Sequence, residues 1–178
     1  MAKVTLYIAI SLDGYIARED GAIDWLSVVE QTGEDYGYAA FYDTVDAVVL
    51  GRKTYEQVLG FDEWLNPRKP AFVVTHQSLT SDRDDVFFVS ESADHVMQKI
   101  IDQGYQHIWL IGGGGLNGAF LQHDLIDEYI ISVIPIILGK GIRLFESSTD
   151  EQLLTLQSSQ SYPSGLVQMH YRVNRDVG

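Results

Sequence analysis

The chain has no cysteine among its 178 residues. Disulfides and thiolate metal sites are therefore excluded. Basic residues are also scarce, 12 Lys and Arg against 25 Asp and Glu for a net charge of −13. Such a surface repels nucleic acid and anionic membrane over most of its area, so neither is expected as a partner. No run approaches the ~20 apolar residues that span a bilayer, and the start, Met-Ala-Lys-Val-Thr-Leu-Tyr, lacks the layout of a signal peptide. The expectation is a cytoplasmic protein. The five histidines form no His-x-x-x-His or His-Glu pattern, so no metal is expected. No Gly-x-Ser-x-Gly elbow is present, which argues against a serine hydrolase.

An apolar content of 46% over residues 1–178 suits a single compact domain. Val4 to Ile10 alternates as a strand. Glu34 to Val45, with Tyr38, Phe41, Tyr42 and Val45 at helical spacing, reads as a helix. Ala47 to Leu50 is a buried strand ending at Gly51, and Thr54 to Gln57 has capping-box spacing for a helix that stops near Gly60. Ala71 to Thr75 and Val86 to Val89 read as strands. Ala93, Val96, Met97, Ile100 and Ile101 mark an amphipathic helix between Ser92 and Gly104, and Ile108 to Ile111 reads as another strand. Tyr129 to Ile137, Leu153 to Gln160 and Leu166 to Val173 follow as strands without helices between them. The expected class is α/β, with a mixed sheet covered on both faces.

The most informative segment is Gly112-Gly-Gly-Gly115, between a strand and the start of a helix. Glycines allow a sharp turn and close backbone approach, and the free N–H groups of a helix start attract an anion. Gly113-x-Gly115-x-x-Gly118 fits a dinucleotide fingerprint, but no acid lies about 20 residues on to hold a ribose. No Lys-Ser/Thr follows the glycines, so a P-loop is excluded too. A second anion site is expected at Gly51-Arg-Lys-Thr54, where a buried strand meets a basic pair. Together the two turns could hold one polyphosphate. Arg52, Lys53, Arg68, Lys69, Lys140 and Arg143 are the cations available for it.

In order and spacing, residues 1–145 resemble the dihydrofolate reductase superfamily, and especially the reductase domain at the C-terminus of the riboflavin-synthesis protein RibD. The resemblance rests on Ile8-Ala-Ile-Ser-Leu-Asp-Gly-Tyr-Ile-Ala17, Trp25, Val49-Leu-Gly-Arg-Lys-Thr-Tyr-Glu56, Val73-Val-Thr-His-Gln77, Ile111-Gly-Gly-Gly114, Leu125-Ile-Asp-Glu128 and Pro135-Ile-Ile-Leu-Gly-Lys-Gly-Ile-Arg-Leu-Phe145. It implies a three-layer α/β/α sandwich around a mainly parallel mixed sheet with antiparallel C-terminal strands, bound NADPH, and a homodimer.

Carried over by position, the resemblance places Ala9 and Ile16 beside the nicotinamide. It puts the phosphates at Gly51, Arg52, Lys53 and Thr54 and at Ile111, Gly112, Gly113, Gly114, Gly115 and Leu116, with Thr75, His76 and Gln77 near the adenine ribose. Arg52, Lys53 and His76 would favour NADPH over NADH. Asp35 falls where folate reductases keep a pterin-binding carboxylate, with Glu30, Glu34 and Asp43 as nearby alternatives. Tyr7, Trp25 and Arg143 are the substrate-side candidates, Trp25 packing beside the site and Arg143, near Lys140, meeting a substrate phosphate. Trp64 and Trp109 are expected in the core.

The implied activity is NADPH-dependent hydride transfer to a C=N bond of a pyrimidine- or pterin-type heterocycle. The RibD-type step on a phosphorylated ribosylaminouracil comes first and dihydrofolate reduction second. A nucleotide-binding module without catalysis is the rival of another class. The glycine-containing stretch Asp13–Asp24 is a candidate lid.

Overall fold

The computed structural model describes residues 2–61, 68–146 and 151–175; Trp64 lies outside them. The strands are β1 (Lys3–Ser11), β2 (Tyr15–Ala17), β3 (Ala47–Gly51), β4 (Ala71–Val74), β5 (Val86–Val89), β6 (His107–Gly112), β7 (Glu128–Ile134), β8 (Ile142–Arg143), β9 (Leu154–Ser161) and β10 (Val167–Val173). The helices are α1 (Tyr38–Thr44), α2 (Arg52–Val58), α3 (Ala93–Asp102) and α4 (Gly114–Gln122). Eight strands form one sheet in the order β5-β4-β3-β6-β1-β7-β10-β9, while β2 and β8 pair separately. From β5 across to β7 all neighbours are parallel; β10 runs antiparallel to β7, and β9 antiparallel to β10. This is the α/β architecture that the resemblance implies.

Side chains that alternate along the strands build a core on each face. On one face Val4, Leu6, Val49, Phe72, Ile108 and Leu110 pack under α3 and α4, which contribute Val96, Ile100 and Phe120. On the other, Val48, Leu50, Val73 and Trp109 pack under Tyr42 of α1 and Tyr55 and Val58 of α2. Trp109 is thus a core residue, and its indole N–H donates to the Tyr7 carbonyl at 3.0 Å. All the parallel strands end at the same edge of the sheet, so Ser11, Gly51, Val74, Gly112 and Ile134 share one rim.

The expected boundaries shift in three places. The helix read from Glu34 begins at Tyr38, because Gly37 takes φ +79° and the Asp35 carboxylate turns back onto the Gly37 and Ala39 amides. The capping box at Thr54 is not formed: α2 already starts at Arg52, which leaves Thr54 inside the helix. The strand read to Ile137 stops at Ile134, before a proline with no N–H to donate. Two short strands, β2 and β8, and a 3₁₀ turn at Asp24–Val29 have no signal in the periodicity.

At the opposite end of β7, Glu128 is a buried carboxylate, its side chain 7% exposed. Lys3 Nζ reaches it at 3.2 Å and Arg172 at 3.1 Å, and His170 Nε2 lies 3.3 Å away without hydrogen-bond alignment. Burial raises this acid, but the Arg172 and Lys3 hydrogen bonds with the Lys3 and His170 charges outweigh it and hold it below the usual carboxylate range. A depressed folded pKa stabilises the fold above the unfolded value and loses that contribution as pH falls through the folded one. Glu128→Gln is therefore expected to cost about 1–2 kcal/mol at neutral pH. Urea melts should show the gap to wild type closing below about pH 4.

Candidate active site

Two concavities lie on the rim where the parallel strands end. The larger, a cleft of about 720 Å3, is walled by Gly51, Lys53 and Thr54 from the β3–α2 turn, by Gly113, Gly114, Gly115 and Leu116 from the start of α4, and by Ala17, Glu19, Asp20, Gly21 and Ala22. The smaller, of about 350 Å3, has Tyr7, Ala9, Ser132 and Ile134 in its floor and Leu26, Val29, Asp35, Tyr36, Tyr38 and Leu166 around it. Ala9 sits on β1, flanked by β6 and β7, and strands are spaced about 4.8 Å apart. The two concavities are thus neighbours along one edge.

The cleft is shaped by backbone. Gly112 has φ +108°, a conformation side chains rarely adopt, and a Cβ there would meet the Asn117 amide at 3.1 Å. Asn117 is fully buried; its Nδ2 donates to the Leu144 carbonyl at 3.0 Å and its backbone N–H to the Gly113 carbonyl at 2.9 Å. This asparagine ties the glycine turn to the segment after β8. A Cβ on Gly51 or Gly113 would make only ordinary van der Waals contact, at 3.7 Å and 3.6 Å. Thr54, Lys53 and Arg52 supply the cleft's hydroxyl and positive charge, although Arg52 is also paired with Glu56 at 2.7 Å. Glu146 lies beside the start of α4, its Oε2 at 3.2 Å from a Cβ built on Gly115.

A dinucleotide fits this donor set. The glycines of both turns let its phosphates approach, the first turn of α4 presents N–H groups without intrahelical partners, and the basic pair lines the same cleft, alongside the carboxylates of Glu19, Asp20, Glu56 and Glu146. Gly51, Arg52, Lys53, Thr54, Gly113, Gly114, Gly115 and Leu116 all line the cleft as the resemblance implies. Ile16 borders it, 3.8 Å from a Cβ built on Gly113. Ile111 packs with the core on the α1 side. Thr75, His76 and Gln77 stand on the same rim after β4, but they do not line the cleft. Thr75 is buried and accepts the Gln77 N–H, whereas His76 and Gln77 are exposed.

In the smaller pocket, Tyr7 stacks on Phe41 with ring centroids 4.4 Å apart. Burial, opposed by the Gln168 hydrogen bond, pushes its hydroxyl up to about 12. It therefore stays protonated at neutral pH. Gln168 Nε2 reaches the Ser132 hydroxyl and the Tyr36 carbonyl, both at 3.1 Å, and closes a polar floor. Ser132 and Gln168 escaped the sequence reading, although a lone hydroxyl in the apolar run Tyr-Ile-Ile-Ser-Val-Ile was a usable signal. Trp25 is 2% exposed among Val29, Ile134 and Leu166, so it supports the wall from behind. Its indole N–H has no partner among the described residues.

Asp35 lines the smaller pocket. It is exposed at the pocket mouth, and hydrogen bonds from the Ala39 and Gly37 amides hold its carboxyl below the usual range. Glu30 and Glu34 line the same mouth, whereas Asp43 lines neither concavity. Arg143 lies over the Tyr15 ring, 5.7 Å from its centroid, and lines neither concavity; Lys140 pairs with Glu19.

The Asp13–Asp24 segment is tied down rather than free. The Asp13 carboxylate accepts the Ser11 hydroxyl and the Leu138 and Gly139 amides, β2 pairs with β8, and Gln57 holds the Gly21 carbonyl at 2.9 Å.

Comparison with known proteins agrees with this geometry. The model of the RibD C-terminal domain family matches residues 2–168. The uncharacterized protein YwjB of Bacillus subtilis is 42% identical over 174 residues, covering 95% of this chain and 97% of that one. The riboflavin biosynthesis protein RibD of Corynebacterium ammoniagenes is 26% identical across 78% of this chain, which amounts to 44% of its own length. The crystal structure of a Shewanella sp. PV-4 protein, provisionally assigned to riboflavin biosynthesis, superposes with a TM-score of 0.88 at 34% identity and covers 98% of this chain and 100% of that one. A glycine-walled cleft beside an aromatic pocket, on this strand order and with a family match over nearly the whole length, makes the chain a member of the RibD C-terminal domain family.

Proposed function

We propose that the protein is an NADPH-dependent reductase that acts on a C=N bond of a pyrimidine- or pterin-type heterocycle. The observation that carries the reading is the adjacency of the two concavities, a backbone-lined cleft with Lys53 and Thr54 next to an aromatic pocket over Tyr7 and Ala9. Bound in the cleft, NADPH supplies the hydride. Lys53, Arg52, Thr54 and the α4 amides hold its phosphates, and Ala9 and Ile16 leave room for the nicotinamide ring. The pocket stacks the heterocycle near Tyr7 and Tyr38. Fixed donors that need no reorganisation place the reacting atoms, and positioning supplies most of the rate.

Asp35 stays ionised. A carboxylate has about four acceptor sites, and two amides leave it capacity for a ring N–H that gains positive charge as the C=N nitrogen is protonated to accept the hydride. It acts as an anchor for that N–H, with the proton drawn from solvent at the open mouth.

The test is a titration with NADPH and NADH, followed by cofactor oxidation with dihydrofolate and with the phosphorylated or phosphate-free ribosylaminouracil. Saturable NADPH binding with turnover of one heterocycle is expected. Binding without turnover of any would favour the non-catalytic module, and equal Michaelis constants for the two cofactors would remove the preference for NADPH. Asp35→Asn is expected to lower kcat/KM by about 10- to 100-fold, the worth of a hydrogen bond to a charged group. Because Asp35 is depressed, the wild-type acid limb from this group should fall below the ordinary carboxylate range.

A homodimer is part of the same reading. Every residue of β9 is exposed, and Leu154 and Leu156, 41% and 52% exposed, share a sheet face with Tyr171 and Val173 of β10. Such an edge is a template for a second copy. Sedimentation should give a dimer at micromolar concentration, and Leu154→Lys/Leu156→Lys should give a monomer; a wild-type monomer would remove the support.

A further inference from the structure

We infer that the substrate of the smaller pocket is an uncharged nitrogen heterocycle carrying neither phosphate nor carboxylate, which separates this chain from reductases of phosphorylated ribosylaminopyrimidines. The inference rests on the reductase reading for the identity of the pocket and deepens it. An anion in a protein site needs cationic side chains or unpaired backbone N–H groups. All 12 Lys and Arg residues of the chain lie within the described residues, and none lines this pocket. The cations nearest in sequence to the rim are directed elsewhere: Arg52 and Lys53 to the cofactor cleft, Arg143 to Tyr15, Lys140 to Glu19 and Arg18 to Asp24.

At the start of α1 the backbone offers no substitute. Four successive amides pass the pocket mouth, and the chain's own acids and carbonyls take all four. Tyr36 N–H donates to Glu34 at 2.7 Å, Gly37 N–H to Asp35 at 2.9 Å, Tyr38 N–H to the Asp35 carbonyl at 3.0 Å, and Ala39 N–H to Asp35 at 2.9 Å. The place an anion would occupy at the start of α1 is filled by the Asp35 carboxylate. Glu30 and Glu34 add two more carboxylates at the mouth. A phosphate, or the glutamate tail of a folate, would enter against three like charges with no cationic side chain in the lining. What the pocket does present is flat aromatic surface at Tyr7, Tyr36 and Tyr38, a hydroxyl at Ser132 and acceptors at its mouth. Those groups suit a neutral ring with N–H donors. A volume of about 350 Å3 lies near the lower end of the ~300–1,000 Å3 range of ligand pockets.

The test is equilibrium binding to the NADPH-loaded protein of a matched pair that cannot turn over, 5-amino-6-ribitylaminouracil and its 5′-phosphate, with 5,6,7,8-tetrahydrobiopterin, whose pyrazine ring is already reduced, as a second uncharged probe. The uncharged uracil or the pterin is expected to bind at least about tenfold tighter than the phosphate at low salt, and the gap should narrow as salt screens the repulsion. Glu30→Gln/Glu34→Gln should improve binding of the phosphate relative to the uncharged probes and so narrow the gap between them. Tighter binding of the phosphate, or binding of neither uncharged probe, would overturn the inference. The NADPH titration that precedes the pair reports separately on the reductase reading: an inference that fails on a protein that still binds NADPH leaves that reading standing.

Discussion

Gly114→Ala is expected to weaken NADPH binding by about 100-fold and to destabilise the fold by about 3 kcal/mol, the upper range for overpacking. A Cβ on Gly114 would overlap the Arg143 carbonyl oxygen and lie 2.8 Å from Glu146 Cγ. The first is backbone of the segment that β8 and Asn117 hold in place, so it cannot swing aside as a side chain tip would. The turn itself must move, and the hydrogen bond from Glu146 N–H to the Gly114 carbonyl moves with it. The α4 amides then no longer point into the cleft. Gly113→Ala makes the control. Its Cβ would find only Thr54 Oγ1 at 3.6 Å and Ile16 Cδ1 at 3.8 Å, ordinary contacts, and its φ of −83° suits alanine. That variant should melt near wild type yet bind NADPH more weakly, because the added methyl stands in the cleft. Thermal melts and fluorescence titration of both variants decide the matter; a Gly114→Ala protein with wild-type Tm and affinity would show that the close approach at this glycine does not matter.

The glycine-lined cleft was legible because it is written in consecutive residues. Gly51-Arg-Lys-Thr54 and Gly112 to Gly115 each follow a buried apolar strand, and parallel strands deliver their C-terminal ends to one rim, so order along the chain translated into neighbourhood in space. The α3 helix was equally plain, its apolar residues recurring at i, i+3, i+4 and i+7. The smaller pocket was not legible, because its residues come from β1, β7, β10 and the turn before α1, and only the register of strands joins them: Gln168 lies opposite Ser132 through the β10–β7 pairing. Asp35 was found by its distance from Gly51, but its setting depended on Gly37 adopting a left-handed turn that frees the carboxylate to cap the next amides. Arg143 misled because sequence shows a cation near a glycine turn and not which way it faces. β8 turns it onto Tyr15 instead.

Phe120→Ala separates the stability of the scaffold from the chemistry of the turn. Phe120 is fully buried on α4, six residues after Gly114, and packs in the same cluster as Leu6, Phe72, Leu110 and Ile126. Removing its ring costs the transfer energy of the lost atoms and leaves a cavity in a close-packed layer, about 3–5 kcal/mol for this kind of change. For a chain of this length that lowers Tm by about 10 °C. The glycine turn is not itself distorted, so the folded fraction should still bind NADPH with near-native affinity. Ligand that binds only the folded state then returns about 2.7 kcal/mol at a hundredfold excess over Kd, and saturating NADPH should recover more than half of the lost Tm. The Gly114→Ala protein has a similar deficit in the absence of ligand but a damaged site, and the same NADPH concentration should restore little. Rescue of both variants to the same extent would place the cofactor elsewhere than at the start of α4. Rescue of Phe120→Ala alone ties the stability of α4 to the cleft at its N-terminus, through one helix that serves the core on its side and the cofactor at its end.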